Sequence, residues 1–301
     1  MLAGRDVLIG LQVIGLQVMS GLVSASILFL LAAGLSLIFG VCRVLNLAHG
    51  AFFMLATYLA YALPFLFGDS ALSFWLVLLL GPLVLAAVGA LVEITLFRRI
   101  YKADILVQLL PTIALIFIFG DVVRFIWGLP SKTVASPEQF TGAISLLGVA
   151  FPSYCGFIVA AGAVIAVALW AFVYRTRWGI LVRAIAQDRE MSASLGINET
   201  AIYTAVFAIA VWLAGVAGVL SSPITGAARE LDVEAIIDAF VGVVVGGLGS
   251  IPGSLLAALL VGMVRSFGIL VIPQFAMAFV FGLMALVLIL RPTGLLGRKE
   301  R

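Results

Sequence analysis

Long apolar runs, separated by short polar segments, dominate this chain. The runs lie at about residues 7–40, 50–67, 73–97, 105–127, 154–174, 201–222, 238–250, 253–272 and 274–291. A helix needs about 20 apolar residues to cross the hydrocarbon core of a bilayer, and most of the runs approach or exceed that length. Because the runs are apolar on every side rather than alternating, the pattern predicts spanning helices and excludes a membrane barrel.

Two of the runs differ in length from a simple span. Run 7–40 is longer than one crossing needs, so it is either one tilted helix preceded by an interfacial turn or two short helices broken near Gly15 or Gly21. Run 238–250 covers only about 20 Å as a helix, so it is either a short crossing or part of a re-entrant pair. We therefore predict an all-α, polytopic membrane protein with about 8–10 transmembrane helices, some of them broken or re-entrant.

The composition agrees with this class. Of the 301 residues, 64% are hydrophobic and 10% are charged, whereas soluble domains carry about 25% charged residues. No polar segment is long enough to form a soluble domain, so we interpret residues 1–301 as a single transmembrane domain in a lipid bilayer. The basic residues are explained by membrane topology, and binding to nucleic acid is not inferred from them.

Basic residues cluster beside the apolar runs in three places, at residues 98–102, 175–189 and 291–301. Such clusters hold loops in the cytoplasm. With all three inside, the C-terminus is cytoplasmic, and residues 128–153 and the segment after run 201–222 are outer loops. The second of these loops carries five charged residues with a net negative charge: Arg229, Glu230, Asp232, Glu234 and Asp238. The side on which the N-terminus lies stays open.

The sequence contains no recognisable catalytic or metal site. Cys42 and Cys155 are far apart and match neither a metal-binding spacing nor a disulfide framework. His49 is the only histidine, and nothing near it completes a catalytic or metal site. The phosphate-binding pattern G-x-x-x-x-G-K-[ST] is also missing. We therefore predict that the chain is not an enzyme and holds no cofactor of its own.

The segment from Gly34 to Gly50 joins two apolar runs and contains Arg43, Asn46 and His49. Polar groups at membrane depth usually face a protein interior or an aqueous path. One interpretation is a broken helix whose polar groups line a solute pathway, with Asn46, His49 and Gly50 along it. The alternative is a short cytoplasmic turn in which Asn46 caps the next helix and Gly50 allows close packing.

A second candidate is the glycine-rich segment Val244–Ser254, which interrupts an apolar run. It lacks the strand–turn–helix context of a dinucleotide-binding site. Breaks of this kind mark discontinuous membrane helices, which often surround transport sites. The candidate pathway residues here are Gly246, Gly247, Gly249 and Ser250. The alternative is close helix packing through small residues.

The third candidate is the polar loop at residues 175–200, which is highly charged for this chain. Ala184–Leu195 is predicted to form a short helix that Gly196 ends, and Asn198 is predicted to cap the next helix. The apolar contacts of the short helix are predicted to be Ile185, Met191 and Leu195. A helix held between two spans can transmit force from a soluble partner. The alternative is a solvated loop whose arginines only set the topology.

Together these segments resemble the branched-chain amino-acid ABC transporter permeases, and among them the first of the two permease types found in such importers. Two residues depart from the family pattern, because Leu47 replaces the usual aromatic residue and Gln187 replaces a common acidic one. The motifs that carry the resemblance occur in the family's order and cover nearly the whole chain: GLSLIFGVCRVLNLAHG at 34–50, RAIAQDREMSASLGIN at 183–198, AFVGVVVGGLGSIPG at 239–253 and RPTGLLG at 291–297.

The resemblance implies a permease subunit of an ATP-driven importer in the bacterial inner membrane, working by alternating access. Its implied partners are a second, related permease, two cytoplasmic ATPase subunits that hold ATP and Mg, and a periplasmic solute-binding protein. It also implies that Ala184–Gly196 is a coupling segment seated on an ATPase. The residues expected to carry this coupling are Arg183, Ala184, Ala186, Gln187, Asp188, Leu195, Gly196 and Ile197.

The solute is not specified by these motifs. Branched-chain amino acids are the first expectation from the resemblance, and urea, short amides or aromatic carboxylates are the alternatives within the same family. A more distant alternative is a secondary carrier that works without ATP. Such a carrier needs a coupling-ion site, and the shortage of acidic residues inside the apolar runs argues against it.

Overall fold

The computed structural model describes residues 2–68, 71–101, 103–146 and 149–297, and most of them are helical. A π-helical turn, Glu93–Phe97, joins α4 to α5, and 3-10 turns lie at Glu138–Phe140 and Pro273–Phe275. Strands β1, Ala143–Leu146, and β2, Val149–Pro152, form an antiparallel pair. The α-helices are α1 Leu2–Cys42, α2 His49–Ala62, α3 Pro64–Phe67, α4 Ala71–Val92, α5 Arg98–Ile100, α6 Ile105–Trp127, α7 Ser153–Arg175, α8 Arg177–Gln187, α9 Arg189–Ser194, α10 Glu199–Thr225, α11 Leu231–Gly246, α12 Ile251–Val271 and α13 Ala276–Leu290.

Eight helical stretches within the described residues are long and apolar enough to cross a membrane. This confirms the predicted all-α, polytopic class. The stretches are Gln12–Cys42, His49–Phe67, Leu72–Ile100, Leu106–Trp127, Ser153–Arg175, Glu199–Thr225, Ile251–Val271 and Pro273–Leu290.

Helix α1 resolves the first ambiguous run. It is continuous from Leu2 to Cys42, so the alternative of two short helices broken near Gly15 or Gly21 is wrong. Gly21 instead lets α1 approach α12, because a Cβ atom there would lie 3.3 Å from the carbonyl oxygen of Gly262. Small residues at such crossings bring membrane helices close together.

Helix α11 corrects the prediction for the segment after α10. It begins at Leu231, so Asp232, Glu234 and Asp238 lie inside a helix rather than in an outer loop. Acidic residues are favourable in the first turn of a helix as well as in a loop. Charge alone therefore does not distinguish an outer loop from the start of a helix. The helix has 16 residues and is not one of the eight candidate spans. Run 238–250 is therefore the end of this shorter helix and the turn that follows it.

Helices α1 and α10 form the centre of the bundle. The most apolar window of each is 72% buried, compared with 28% for α4 and α6 and 17% for α13. The two central helices touch directly at Gly34, where a Cβ atom would lie 2.8 Å from the carbonyl oxygen of Ala210. The outer helices expose apolar side chains, as expected for surfaces that meet lipid.

The loops divide between two faces of the bundle. On one face the end of α4 meets the start of α10, where Arg98 Nη2 donates to Thr204 Oγ1 at 2.8 Å. Gly40, near the end of α1, packs against Gly249. The segment after α13 joins the same region, because the Leu295 amide donates to the Val245 carbonyl at 2.9 Å.

The opposite face is marked by a backbone bridge between Lys132 and Ala227, which brings together the loops after α6 and α10. Arg98, Arg175–Arg189 and Arg291 therefore share a face, as the parity of the spans predicts. Four other basic residues of the predicted clusters lie outside the described residues: Lys102, Arg298, Lys299 and Arg301.

Candidate functional site

The chain is broken between α1 and α2. Helix α1 ends at Cys42, and α2 begins only at His49. Arg43 has a φ of 53°, the only positive φ at a non-glycine residue in the described part of the chain, and it turns the backbone away from the helix axis. His49 Nε2 lies 3.2 Å from the Leu31 carbonyl oxygen. Leu31 lies about 16 Å before the end of α1 at Cys42. The segment therefore folds back into the bundle, and α2 starts beside Leu31 of α1.

The break and the end of α1 contain buried polar atoms without partners. Asn46 and His49 are fully buried. Asn46 Oδ1 accepts a hydrogen bond from the Ala48 amide at 3.1 Å. Asn46 Nδ2, His49 Nδ1 and Ser36 Oγ have no hydrogen-bond partner among the described residues. A buried polar atom left unpaired is unfavourable by about 1–3 kcal/mol, so such atoms call for a functional or structural reason.

Gly50 lies where α2 meets α11. A Cβ atom at Gly50 would overlap the carbonyl oxygen of Asp232 and lie 2.9 Å from the Ile236 nitrogen. The absence of a side chain thus lets the first turn of α11 rest on the first turn of α2. Asp232 is itself buried, and its Oδ1 accepts from the Val233 amide at 2.7 Å.

The glycine-rich segment forms the turn between α11 and α12. Gly247 and Gly249 have φ values of 100° and 77°, which side chains disfavour. Gly246 and Gly247 are in backbone contact with Gly253 and Gly297 respectively. Ser250 Oγ caps α12 by accepting from the Gly253 amide at 3.2 Å. The turn therefore packs closely against the start of α12 and the segment after α13.

The two glycine-containing segments occupy opposite ends of one helix. Gly50 contacts the start of α11 at Asp232, and Gly246 is the last residue of α11. Gly249 then contacts Gly40, near the end of α1. Helix α11 therefore connects the break between α1 and α2 to the turn that packs on the end of α1.

The polar loop contains two helices rather than the single predicted one. Asp188 has extended backbone angles, φ −151° and ψ 107°, and separates α8 from α9. Its Oδ1 accepts from the Met191 amide at 2.9 Å. Aspartate at such a position starts a new helix, so the prediction of one helix over Ala184–Leu195 is wrong.

The ends of the polar loop match the sequence prediction. Gly196 has a φ of 80°, and the amides of Gly196 and Ile197 donate to the carbonyls of Ala193 and Ser192. This pattern ends a helix through a left-handed residue and confirms the predicted role of Gly196. Asn198 Oδ1 accepts from the Ala201 amide at 3.1 Å, which confirms the predicted cap of α10.

The apolar side chains of the loop divide between two environments. Ile185 is buried against the chain as predicted, whereas Met191 is 59% exposed and Leu195 is 74% exposed, so these two are not contacts within this chain. Arg183 anchors α8, because its Nη1 donates to the Val173 carbonyl and its guanidinium lies 5.2 Å from the Tyr174 ring centroid.

The other predicted coupling residues differ in burial. Gln187, Asp188 and Gly196 are exposed, and Ala184, Ala186 and Ile197 are half-buried. With Met191 and Leu195, the exposed residues form a mixed apolar and polar surface on α9 and the neighbouring turns. Exposed apolar side chains on a polar loop are candidates for contact with a partner protein.

A cluster of polar side chains surrounds Glu93. The buried Glu93 pairs with Arg98 at 3.2 Å. Thr204 and Tyr101 also bind this carboxylate. Burial raises the pKa of the Tyr101 hydroxyl, so it stays protonated and donates. Thr204 is more than a hundred positions from Glu93, so the only sequence signal was an acidic residue inside an apolar run.

Comparison with known proteins agrees with this architecture. Residues 17–288 match the family model described as the permease component of a branched-chain amino acid transport system. The chain therefore belongs to the branched-chain amino acid transport permease family. It is a multi-pass membrane protein of the permease class.

Three curated relatives illustrate the similarity. The permease protein BraD of Pseudomonas aeruginosa, of a high-affinity branched-chain amino acid transport system, is 32% identical over 94% of this chain and 96% of its own length. LivH of Escherichia coli K12, with the same description, is 30% identical over the same shares. LivM of Salmonella typhimurium, another permease protein of such a system, is 29% identical over 90% of this chain and 68% of its own length.

Proposed function

We propose that this chain is a permease subunit of an ATP-driven importer that carries branched-chain amino acids across the bacterial inner membrane by alternating access. The observation that supports this most is the similarity to BraD and LivH over 94% of the chain, because both names include the branched-chain amino acid system. The permease itself is not the ATP-hydrolysing subunit, and ATP and Mg²⁺ bind to partner chains.

The proposed assembly has four kinds of subunit. This chain pairs with a second, related permease, two ATPases bind on the cytoplasmic face, and a periplasmic protein delivers the solute. The similarity to both LivH and LivM, two differently named permeases, supports a related second permease. In this arrangement residues 1–301 act as one transmembrane domain, with the polar loop and the C-terminus in the cytoplasm and the N-terminus outside.

The proposed pathway runs past the break between α1 and α2. Asn46 Nδ2 and His49 Nδ1 have no hydrogen-bond partner among the described residues, and both can form hydrogen bonds to a polar solute once the helices separate. Gly50 keeps α11 close to these groups. Gly246, Gly247, Gly249 and Ser250, in the turn between α11 and α12, are proposed to lie along the same pathway.

The proposed ATPase contact is the coupling segment Ala184–Gly196. Its exposed Met191 and Leu195 supply apolar contacts, and Arg183 fixes α8 to α7. A load on α9 therefore reaches the spans through rigid helices. These helices pack against the rest of the chain through three half-buried residues, Ala184, Ala186 and Ile197. Their exposed side carries Gln187, Asp188 and Gly196.

Replacing Leu195 by Asp tests this contact. The exposed apolar side chain becomes charged, so the copurified ATPase is expected to fall by about tenfold or more, which corresponds to about 1.4 kcal/mol of binding. Leu129→Asp is the matched control, because Leu129 is 67% exposed on the opposite face of the bundle. Equal loss in both variants, or normal ATPase binding by Leu195→Asp, would contradict the assignment.

The function itself is tested by reconstitution. The chain is purified with its second permease and ATPases, placed in proteoliposomes with the binding protein, and supplied with labelled leucine, isoleucine or valine. ATP-dependent uptake of these solutes is expected. Uptake of urea, a short amide or an aromatic carboxylate instead would reassign the solute, and uptake without the ATPases would indicate a secondary carrier.

A further inference from the structure

Glu93 is a fully buried carboxylate at the cytoplasmic end of the α4 span. Its Oε2 accepts from Thr204 Oγ1 at 2.5 Å and from Arg98 Nη2 at 3.2 Å, and its Oε1 accepts from the Tyr101 hydroxyl at 3.2 Å. A buried charge is tolerated only when it is paired and hydrogen-bonded. The cluster therefore holds α4, α10 and Tyr101 in one arrangement.

The backbone at this position is also unusual. Glu93 begins the π-helical turn Glu93–Phe97, in which the helix is locally wider than an α-helix. Such turns are rare and occur frequently at functional sites. A π-helical turn can return to regular α-helix, which rotates the residues beyond it. The Glu93 hydrogen bonds therefore hold a segment of unusual backbone geometry in place.

Two aromatic rings connect this cluster to the coupling segment. The Tyr101 ring centroid lies 4.9 Å from that of Tyr203. The Tyr203 ring also contacts Arg189, whose guanidinium lies 5.2 Å from the ring centroid. Arg189 also pairs with Glu199, with 2.5 Å between Nε and Oε2. Because Arg189 is the first residue of α9, movement of α9 displaces a charge that is held against Tyr203.

The cluster also touches the end of α1. The Cys42 thiol lies beside the Tyr101 hydroxyl, and Arg43, with its positive φ, follows at once. Arg43 begins the segment that folds back to Asn46 and His49. Tyr101 thus has the coupling segment on one side and the break between α1 and α2 on the other.

We propose that Glu93 is a positioning residue that couples movement of α9 to the break between α1 and α2. This inference rests on the proposed ATP-driven import. Glu93 holds Tyr101 and Thr204 in place, so that a shift of Arg189 against Tyr203 is passed to the end of α1. Without the carboxylate, Tyr101 is no longer held, so α9 can move without moving the end of α1. ATP hydrolysis then no longer drives the solute step.

The test measures the amount of leucine transported per ATP hydrolysed by the complete transporter in proteoliposomes with its binding protein. Glu93→Gln removes the charge, and Thr204→Val removes the hydroxyl at nearly constant volume. Both are expected to lower the ratio by about fivefold or more while ATP hydrolysis continues, which lies in the usual range of coupling between sites. Thr204→Ser keeps the hydroxyl and is expected to keep the ratio.

A matched control lies in the same π-helical turn. Thr95 is exposed, and its Oγ1 donates only to the Leu91 carbonyl, at 2.7 Å. Thr95→Ala is therefore expected to leave the ratio unchanged. A merely structural role of Glu93 would lower the yield of assembled complex, or lower uptake and ATP hydrolysis together, without changing the ratio.

Two outcomes overturn the inference. One is an unchanged ratio in assembled Glu93→Gln or Thr204→Val transporter, and the other is an equal fall in Thr204→Ser or Thr95→Ala. If Glu93→Gln does not assemble, the comparison of Thr204→Val with Thr204→Ser decides. Lack of ATP-dependent leucine uptake by the unmodified complex is a different result, because it contradicts the proposed function itself and the inference falls with it.

Discussion

Packing alone does not explain why three buried positions hold polar residues: Asn46, His49 and Ser36. Each is fully buried, and each leaves one polar atom without a partner among the described residues. The surrounding helices could hold apolar residues there at lower free energy, because an unpaired buried polar group is unfavourable. Packing stability therefore does not account for these three polar groups.

Asn46→Leu tests the functional demand at one of these positions. Leucine keeps the branched shape of asparagine but is bulkier and leaves the Ala48 amide without its acceptor, so the free energy of unfolding is expected to fall by about 1–3 kcal/mol while leucine uptake is lost. Thermal unfolding in detergent and uptake in proteoliposomes measure the two effects. Ser36→Ala serves as the control for removal of an unpaired atom. A loss of stability in Asn46→Leu well above this range, together with the loss of uptake, would indicate a purely structural asparagine.

Gly50→Ala tests the contact between α2 and α11. The added methyl group overlaps the Asp232 carbonyl, so the two helices must separate, and a loss of about 1–3 kcal/mol of stability is expected. Gly282→Ala in α13 is the control, because a Cβ atom there has no neighbour within 4 Å. Equal melting temperatures for the two variants would show that the helices adjust freely.

At the scale of elements, periodicity and local caps were predictable, and contacts between distant segments were not. The apolar runs predicted the spans because lipid demands apolar side chains over a fixed length. Gly196 and Asn198 act through backbone groups within three residues, so their roles were visible in the sequence. Asp188 was missed as a helix start because an aspartate between two helical segments fits a helix interior equally well on charge alone.

Other features depend on residues far apart in the chain. In the sequence the acids of α11 fit an outer loop, because the contacts that hold them in a helix come from distant residues. Asp238, for example, pairs with Arg265 of α12 at 2.5 Å. Likewise, no spacing rule places Thr204 beside Glu93. Sequence reasoning therefore found the candidate segments and left the contacts between them to the structure.

Gly196→Val tests the end of the coupling segment. A β-branched residue at a φ of 80° is strained by about 1–2 kcal/mol, so the turn between α9 and α10 is expected to shift and uptake to fall relative to ATP hydrolysis. Gly196→Asn is the matched control, because asparagine tolerates this conformation. No atom lies within 4 Å of a Cβ at this position, so crowding does not explain a difference between the two variants.

The two faces of the bundle are expected to differ in their accessibility to a reagent that cannot cross the membrane. Ser131 and Gln187 are both exposed, one in the loop after α6 and the other at the end of α8. In a Cys42→Ala, Cys155→Ala background, a membrane-impermeant maleimide added to spheroplasts is expected to label Ser131→Cys and to label Gln187→Cys only after lysis. The reverse pattern would invert the proposed topology.

The folded-back start of α2 also has a consequence for how the protein is made. His49 contacts Leu31, which precedes it, but its region is closed by Ala210 of α10 and Asp232 of α11. Ala210 is synthesised about 160 residues after His49, so at about 5–20 residues per second the nascent α2 waits roughly 8–32 s for its neighbours. During that interval the polar residues before α2 lack the neighbours that later enclose them.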